Sequence, residues 1–244
     1  WNQHAPVNHF LPAVITRRNY GWAKAVEQRA CTNKDEVSAY YRRYGSLVAL
    51  AHIMGAIDLH KENLVAAGEY PVIVDSETLF SCILDDQKSS TRNFHLYSSL
   101  LLPAHQMRDA IEISPITAQS GKKLDIDILV NPQRKESNIR FESHKLVTGQ
   151  CSCEVRLGET LITDFSPYDE SLIDGMHQTF SFILENREVI FEILKHCMHN
   201  AIIRFLYRAT QNYTTVLHNS WHPDTLIRGE VKREFLVLAN SSLN

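Results

Sequence analysis

No stretch of this chain approaches the roughly 20 uninterrupted apolar residues needed to cross a bilayer, so no membrane span is expected. The opening WNQHAPVNHF lacks the charged-then-apolar pattern of a secretory signal. An excess of positive charge is also missing. With 25 Lys and Arg against 28 Asp and Glu the net charge is −3, which disfavours a nucleic-acid partner or an anionic membrane surface. Neither an internal repeat nor a low-complexity tract is present. The five cysteines, an odd number in 244 residues, do not make a disulfide framework. Cys151 and Cys153 stand two apart, and His196, Cys197 and His199 form HCMH, but neither group has a second half at zinc-site spacing, so packed or surface residues are the simpler reading. A reducing, cytoplasmic setting is the expectation. The chain also begins without methionine, which suggests a fragment of something longer.

What is present is a 44% hydrophobic composition, enough for a sizeable core in one large domain or part of one. The clearest element is a helix over 32–55. Thr32 or Asn33 followed by Asp35 or Glu36 resembles a capping box, and Val37, Tyr40, Tyr41, Tyr44, Leu47, Val48, Ala51 and Met54 recur at helical spacing. Gly55 is a natural stop. The helix delivers the chain into DLHKEN, residues 58–63, a loop that a buried helix would hold rigidly.

After the loop, 64–66 and 72–74 read as short strands around a turn at Gly68, leaving Asp75 at a strand end. Residues 81–150 alternate polar clusters with short apolar runs and read as an elaboration of loops and short strands. A helix is expected over 171–199 from the stripe Leu172, Ile173, Met176, Phe180, Ile183, Leu184, Ile190, Phe191 and Leu194. In AIIRFLYRATQNY the Ile, Phe and Tyr content favours a strand, which would place Arg204, Leu206, Arg208 and Thr210 on one face. A helix closed by Pro223 follows.

The loop carries the chemistry. In protein kinases a catalytic-loop aspartate accepts the substrate hydroxyl proton, an asparagine five positions on holds Mg²⁺, and a second metal-binding aspartate follows a strand. Asp58, Asn63 and Asp75 reproduce that order, and Mg²⁺ prefers such hard oxygen donors. The bland alternative is a polar turn with a capping aspartate.

The segment YYRRYGSLVALAHIMGAIDLHKENLVAAGEYPVIVDSETLF, with RRNYGWAKAV upstream and IIRFLYRATQNY downstream, resembles the dehydratase domain of class II lanthipeptide synthetases, the LanM type. The resemblance implies an α+β fold, a kinase-like carboxy-terminal lobe with additional helices and strands, spanning 1–244 as a partial dehydratase domain. On this likeness 1–80 would hold the helix with the catalytic and metal-binding loops, 81–170 a family-specific elaboration, and 171–244 the elimination residues. It implies Mg²⁺ and ATP as cofactors and a precursor peptide, leader plus core, whose Ser and Thr are phosphorylated and then lose phosphate, giving dehydroalanine and dehydrobutyrine. By position Asp58 matches the catalytic aspartate, His60 the histidine near the transferred phosphate, Asn63 and Asp75 the metal ligands, and Arg204 and Thr210 the elimination residues. A guanidinium suits a departing phosphate through bidentate contacts, with Arg208 a neighbour; from residue type alone both arginines read as solvated or salt-bridged. Glu62 and Glu77 would orient neighbours or be solvated.

Departures are specific. No glycine-rich phosphate loop and no strand lysine precede the catalytic loop, which assigns ATP closure to a missing amino-terminal lobe. Ser76 stands where the family often has leucine. The zinc-binding cyclase domain that normally follows is absent, so ring closure is not assigned. Two other classes remain open: a small-molecule phosphotransferase of the aminoglycoside or choline kinase type, for which Arg204 and Thr210 would be dispensable, and a catalytically silent peptide-binding module, for which Asp58 and Asn63 would be.

Overall fold

A computed structural model describes residues 1–80, 96–103, 113–121, 123–130, 140–147 and 149–199, with isolated positions beyond. Two compact units divide it, Trp1–Lys123 with Val147–Phe205, and Leu124–Leu146 with Leu206–Asn244. The architecture is mixed helix and strand, as the sequence suggests.

The first unit is organised around α1, Lys34–Ile53. Its start is the expected capping box. The Asn33 side chain accepts the Glu36 N–H at 2.9 Å, and the Glu36 carboxylate reaches back to the Thr32 N–H at 2.8 Å and the Thr32 hydroxyl at 2.9 Å. Its end is a Schellman motif: Gly55 takes φ +57, its N–H donates to the His52 carbonyl, and the Ala56 N–H donates to the Ala51 carbonyl at 2.8 Å. The stripe from Val37 to Ala51 is buried, so α1 lies inside the core rather than on its surface.

Beyond it, the sequence expectation of one helix over 171–199 is corrected. The structure has α2, Asp169–Glu185, and α3, Arg187–Met198, broken at Asn186. There the Asn186 side chain donates to the Phe182 carbonyl at 2.9 Å, and its backbone leaves the helical region. Asparagine competes for backbone groups in this way, which is why it interrupts helices. The expected apolar stripe holds in part, with Ile183 buried and Leu172 and Met176 packed on the core, and is corrected at other positions. Ile173, Leu184 and Phe191 are 57%, 70% and 64% exposed, whereas α2 buries Gly175, Thr179 and Ile183. Packing on α1 is set by glycine on both helices: a Cβ at Gly45 would lie 1.9 Å from the Leu172 carbonyl oxygen, and one at Gly175 would lie 1.8 Å from that of Arg42.

Four two-stranded pairings complete the described strands. β1, Val14–Thr16, and β2, Gly21–Ala23, form an antiparallel hairpin exposed throughout. The antiparallel hairpin of β3, Leu64–Ala67, and β4, Tyr70–Ile73, turns at Gly68 with φ +65, close to the expected strands. The strands β7, Arg156–Leu157, and β8, Thr160–Leu161, are minimal. Most of β5, Lys123–Val130, and β6, Arg140–Val147, belongs to the second unit, where they pair with each other. Among the described residues no helix is long and apolar enough to cross a membrane. The strand expected around Arg204, Arg208 and Thr210 and the helix stop at Pro223 lie outside the described residues.

Candidate active site

Loop 58–63 leaves the end of α1 under restraint from several directions. Leu59, the one apolar residue in DLHKEN, is buried, and its N–H donates to the Ser99 carbonyl at 2.8 Å; the Lys61 N–H donates to the Ile113 carbonyl at 2.9 Å. Thr78 donates its hydroxyl to the Ile57 carbonyl, and the Phe80 N–H meets the Met54 carbonyl at 2.8 Å. Alternate N–H groups of the loop are thus pinned by segments far away in sequence. The sequence reading missed these supports. Leu59 could have been found as a lone apolar residue between charges, whereas backbone carbonyls of Ser99 and Ile113 have no residue-type signature.

Asp58 itself adopts a left-handed backbone, φ +63, uncommon for a residue with a side chain but tolerated best by Asn and Asp. Asn63 holds that conformation: its side-chain N–H donates to the Asp58 carbonyl at 2.8 Å. The same amide has only one nitrogen, so its Oδ1 is turned to the other side as an acceptor. His60 is fixed by two bonds in the turn. Its Nδ1 accepts the Glu62 N–H at 3.2 Å, and its carbonyl accepts the Asn63 N–H at 2.9 Å. An acceptor at Nδ1 assigns the ring proton of the neutral form to Nε2. That nitrogen lies 3.8 Å from Asp58 Oδ1, too far for a direct hydrogen bond and close enough for one bridging atom.

The β3–β4 hairpin brings Asp75 to this loop. Leu64 faces Ile73 in the register, and one step further the Val74 N–H donates to the Asn63 carbonyl at 3.0 Å, leaving Asp75 next to Asn63. Asp75 Oδ1 accepts the Glu77 N–H at 3.1 Å, which orients the carboxylate through an Asx turn. The structure therefore brings Asp58, His60, Asn63 and Asp75 together. Glu62, Ser76 and Glu77 are exposed, and the backbone N–H groups of Glu62 and Glu77 donate to His60 and Asp75. Arg204 and Thr210 lie outside the described residues.

The donor set fits a hard cation. Asn63 and Asp75 both offer side-chain oxygen and are half-exposed, and the Val74 N–H bond to the Asn63 carbonyl brings their backbones close. Among the described residues no group of three or more His, Cys, Asp and Glu is placed to hold a metal; Mg²⁺ is commonly held by one or two protein oxygens, with waters and phosphate oxygens completing its shell. Cys31 and Cys153 are buried. Burial pushes their thiols up to about 11 and about 12, the signature of packed, unreactive cysteine.

Two comparisons bear on this geometry. Over 229 residues the chain is 25% identical to the lacticin 481/lactococcin biosynthesis protein LcnDR2 of Lactococcus lactis subsp. lactis, a stretch covering 88% of this chain and 25% of that protein. The aligned region is thus about a quarter of the relative's length. A family profile described as a domain of unknown function, DUF4135, matches residues 1–243. With almost its whole length inside that match, the chain belongs to the DUF4135 family.

Proposed function

We propose that this chain acts in the dehydration of Ser and Thr in a lanthipeptide precursor, by phosphorylation from Mg-ATP and elimination of phosphate to dehydroalanine or dehydrobutyrine, in the cytoplasm. The observation that carries the reading is the convergence of Asp58, His60, Asn63 and Asp75 around one rigid loop. The similarity to a protein named for lacticin 481 biosynthesis supports the substrate class, and the site's oxygen donors support a kinase-like phosphoryl transfer.

Asp58 orients the substrate hydroxyl and accepts its proton as the oxygen is phosphorylated. His60 Nε2, facing the same space, donates to a phosphate oxygen. Asn63 and Asp75 would hold Mg²⁺, which when bound neutralises charge on the nucleotide phosphates. Elimination needs a base for the α-proton and charge compensation for departing phosphate; by resemblance Arg204 supplies the compensation and Thr210 supports it.

Intact mass spectrometry of a Ser/Thr-containing precursor peptide, incubated with the protein, Mg²⁺ and ATP, tests the reading. Loss of water per reacting residue is expected, and Arg204→Ala accumulates phosphopeptide. An unchanged peptide, with ATP consumed only when a small hydroxylated acceptor is present, would replace this function with a small-molecule phosphotransferase.

A further inference from the structure

A cleft of about 200 Å³ opens beside loop 58–63, lined by Lys61, Glu62, Gly149, Gln150, Cys151 and Ser152. Hydrogen bonds on both sides build it. The Ala66 N–H donates to the Ser152 carbonyl at 2.8 Å, and Ser152 Oγ donates to the Leu64 carbonyl at 3.3 Å, tying the 149–152 wall to β3. From the other side the Cys151 N–H donates to Ser120 Oγ at 2.8 Å. The loop wall is fixed by Lys61 on the Ile113 carbonyl. The cleft's volume equals about seven waters at their share of the liquid, room for one polar side chain.

The charges are unequal in depth. Lys61 is half-buried and acts electrostatically on the buried Cys153 thiol, whereas Glu62 is exposed at the mouth. Neither side chain forms an ion pair among the described residues. A deeper charge is screened less by water and salt, so the cation dominates inside the cleft. Position completes the picture: four residues of chain span at most about 14 Å, so Glu62 lies within that distance of Asp58, and an extended peptide covers it in about four residues.

We propose that this cleft is a peptide subsite that receives the side chain of a residue within about four positions of the Ser or Thr reacting at Asp58, and that Lys61 selects an acidic side chain there. The proposal rests on the peptide-modifying reading above. It makes Lys61 a specificity residue, outside the reacting set.

The test uses fluorescein-labelled Ser-containing peptides in which Glu or Lys is placed in turn at each position from four before to four after the Ser. Anisotropy titrations without ATP are expected to show about fivefold tighter binding of Glu over Lys at one position. Lys61→Glu inverts that preference. Gly149→Trp adds bulk at the cleft lining and is expected to remove the preference; a Cβ at Gly149 meets nothing within 4 Å, and a circular dichroism spectrum matching wild type checks that the fold is kept. A preference spread evenly over all positions, or one unchanged by Lys61→Glu, overturns the subsite. Parallel mass spectra with Mg-ATP separate the two ideas. Position-specific binding without any mass change upholds the subsite and sinks the dehydratase, and water loss indifferent to charge at every position does the reverse.

Discussion

Asp58 combines a left-handed backbone with the proposed role of proton acceptor, so a substitution can test conformation and chemistry separately. Asparagine is at least as comfortable in that region. Asp58→Asn should therefore leave urea stability within about 0.5 kcal/mol while lowering phosphoryl transfer by about 10² to 10⁴, the usual worth of a positioned base. A β-branched residue adds strain, and Asp58→Val should unfold about 1–2 kcal/mol more easily. Urea titrations and phosphopeptide mass spectra on the same preparations check both; equal stability losses in the two variants would show that the backbone at Asp58 is not strained. Asn63→Ala removes the bond to the Asp58 carbonyl as well as the oxygen proposed to hold Mg²⁺. It is expected to lose about 1 kcal/mol, and added Mg²⁺ should not restore turnover.

The contact of α1 with α2 depends on two glycines rather than on apolar bulk. With 1.9 Å and 1.8 Å from a new Cβ to facing carbonyl oxygens, the helices must separate to admit even a methyl group. Gly45→Ala and Gly175→Ala should each destabilise by about 3 kcal/mol or more, despite alanine's better helix propensity; stabilisation in urea would mean the helices are not so close. This contact explains what sequence could and could not reveal. Helix α1 was legible because cap, stripe and stop agree along one segment. The same logic read α2 only in part: Leu172, Met176 and Ile183 do face the core, but Gly175 and Thr179 complete the buried face, and small residues leave no periodic hydrophobic signal. In the candidate site, the order of residues anticipates the backbone neighbourhood of Asn63 and Asp75 across a short hairpin. The site was illegible where support comes from carbonyls of Ser99 and Ile113, or from the φ of a residue other than glycine. The elimination pair, Arg204 and Thr210, rests on resemblance alone.

Across the whole molecule, elements differ in how firmly they are tied to the core. The β1–β2 hairpin packs on little, with Val14 63% and Trp22 58% exposed, and two strands alone are marginal in water. Ile15→Lys should change the melting temperature negligibly while reducing aggregation at high concentration, measured by light scattering. Residues 1–9 behave oppositely. Trp1 donates to the Val7 carbonyl at 2.9 Å and meets Phe182 edge-on, Asn8 accepts from Arg43, and His9 Nε2 lies 2.9 Å from Ser46 Oγ. That hydroxyl also accepts from Thr179 at 2.7 Å, so one buried polar chain joins the amino terminus to α1 and α2. Burial, with the Arg43 guanidinium adding to it, lowers His9 from an ordinary 6.5 to about 4. Between these values the unfolded chain binds a proton that the folded one refuses. The contribution is complete above about pH 6.5 and is lost as pH falls toward 4, at most about 3 kcal/mol. The Glu36 and Asp164 carboxylates, held below their usual range by hydrogen bonds, act in the same direction at lower pH. Urea unfolding at half-unit steps from pH 7 to 4 should show stability falling in wild type and nearly level in His9→Gln. A slope that survives the substitution would place the titrating group elsewhere.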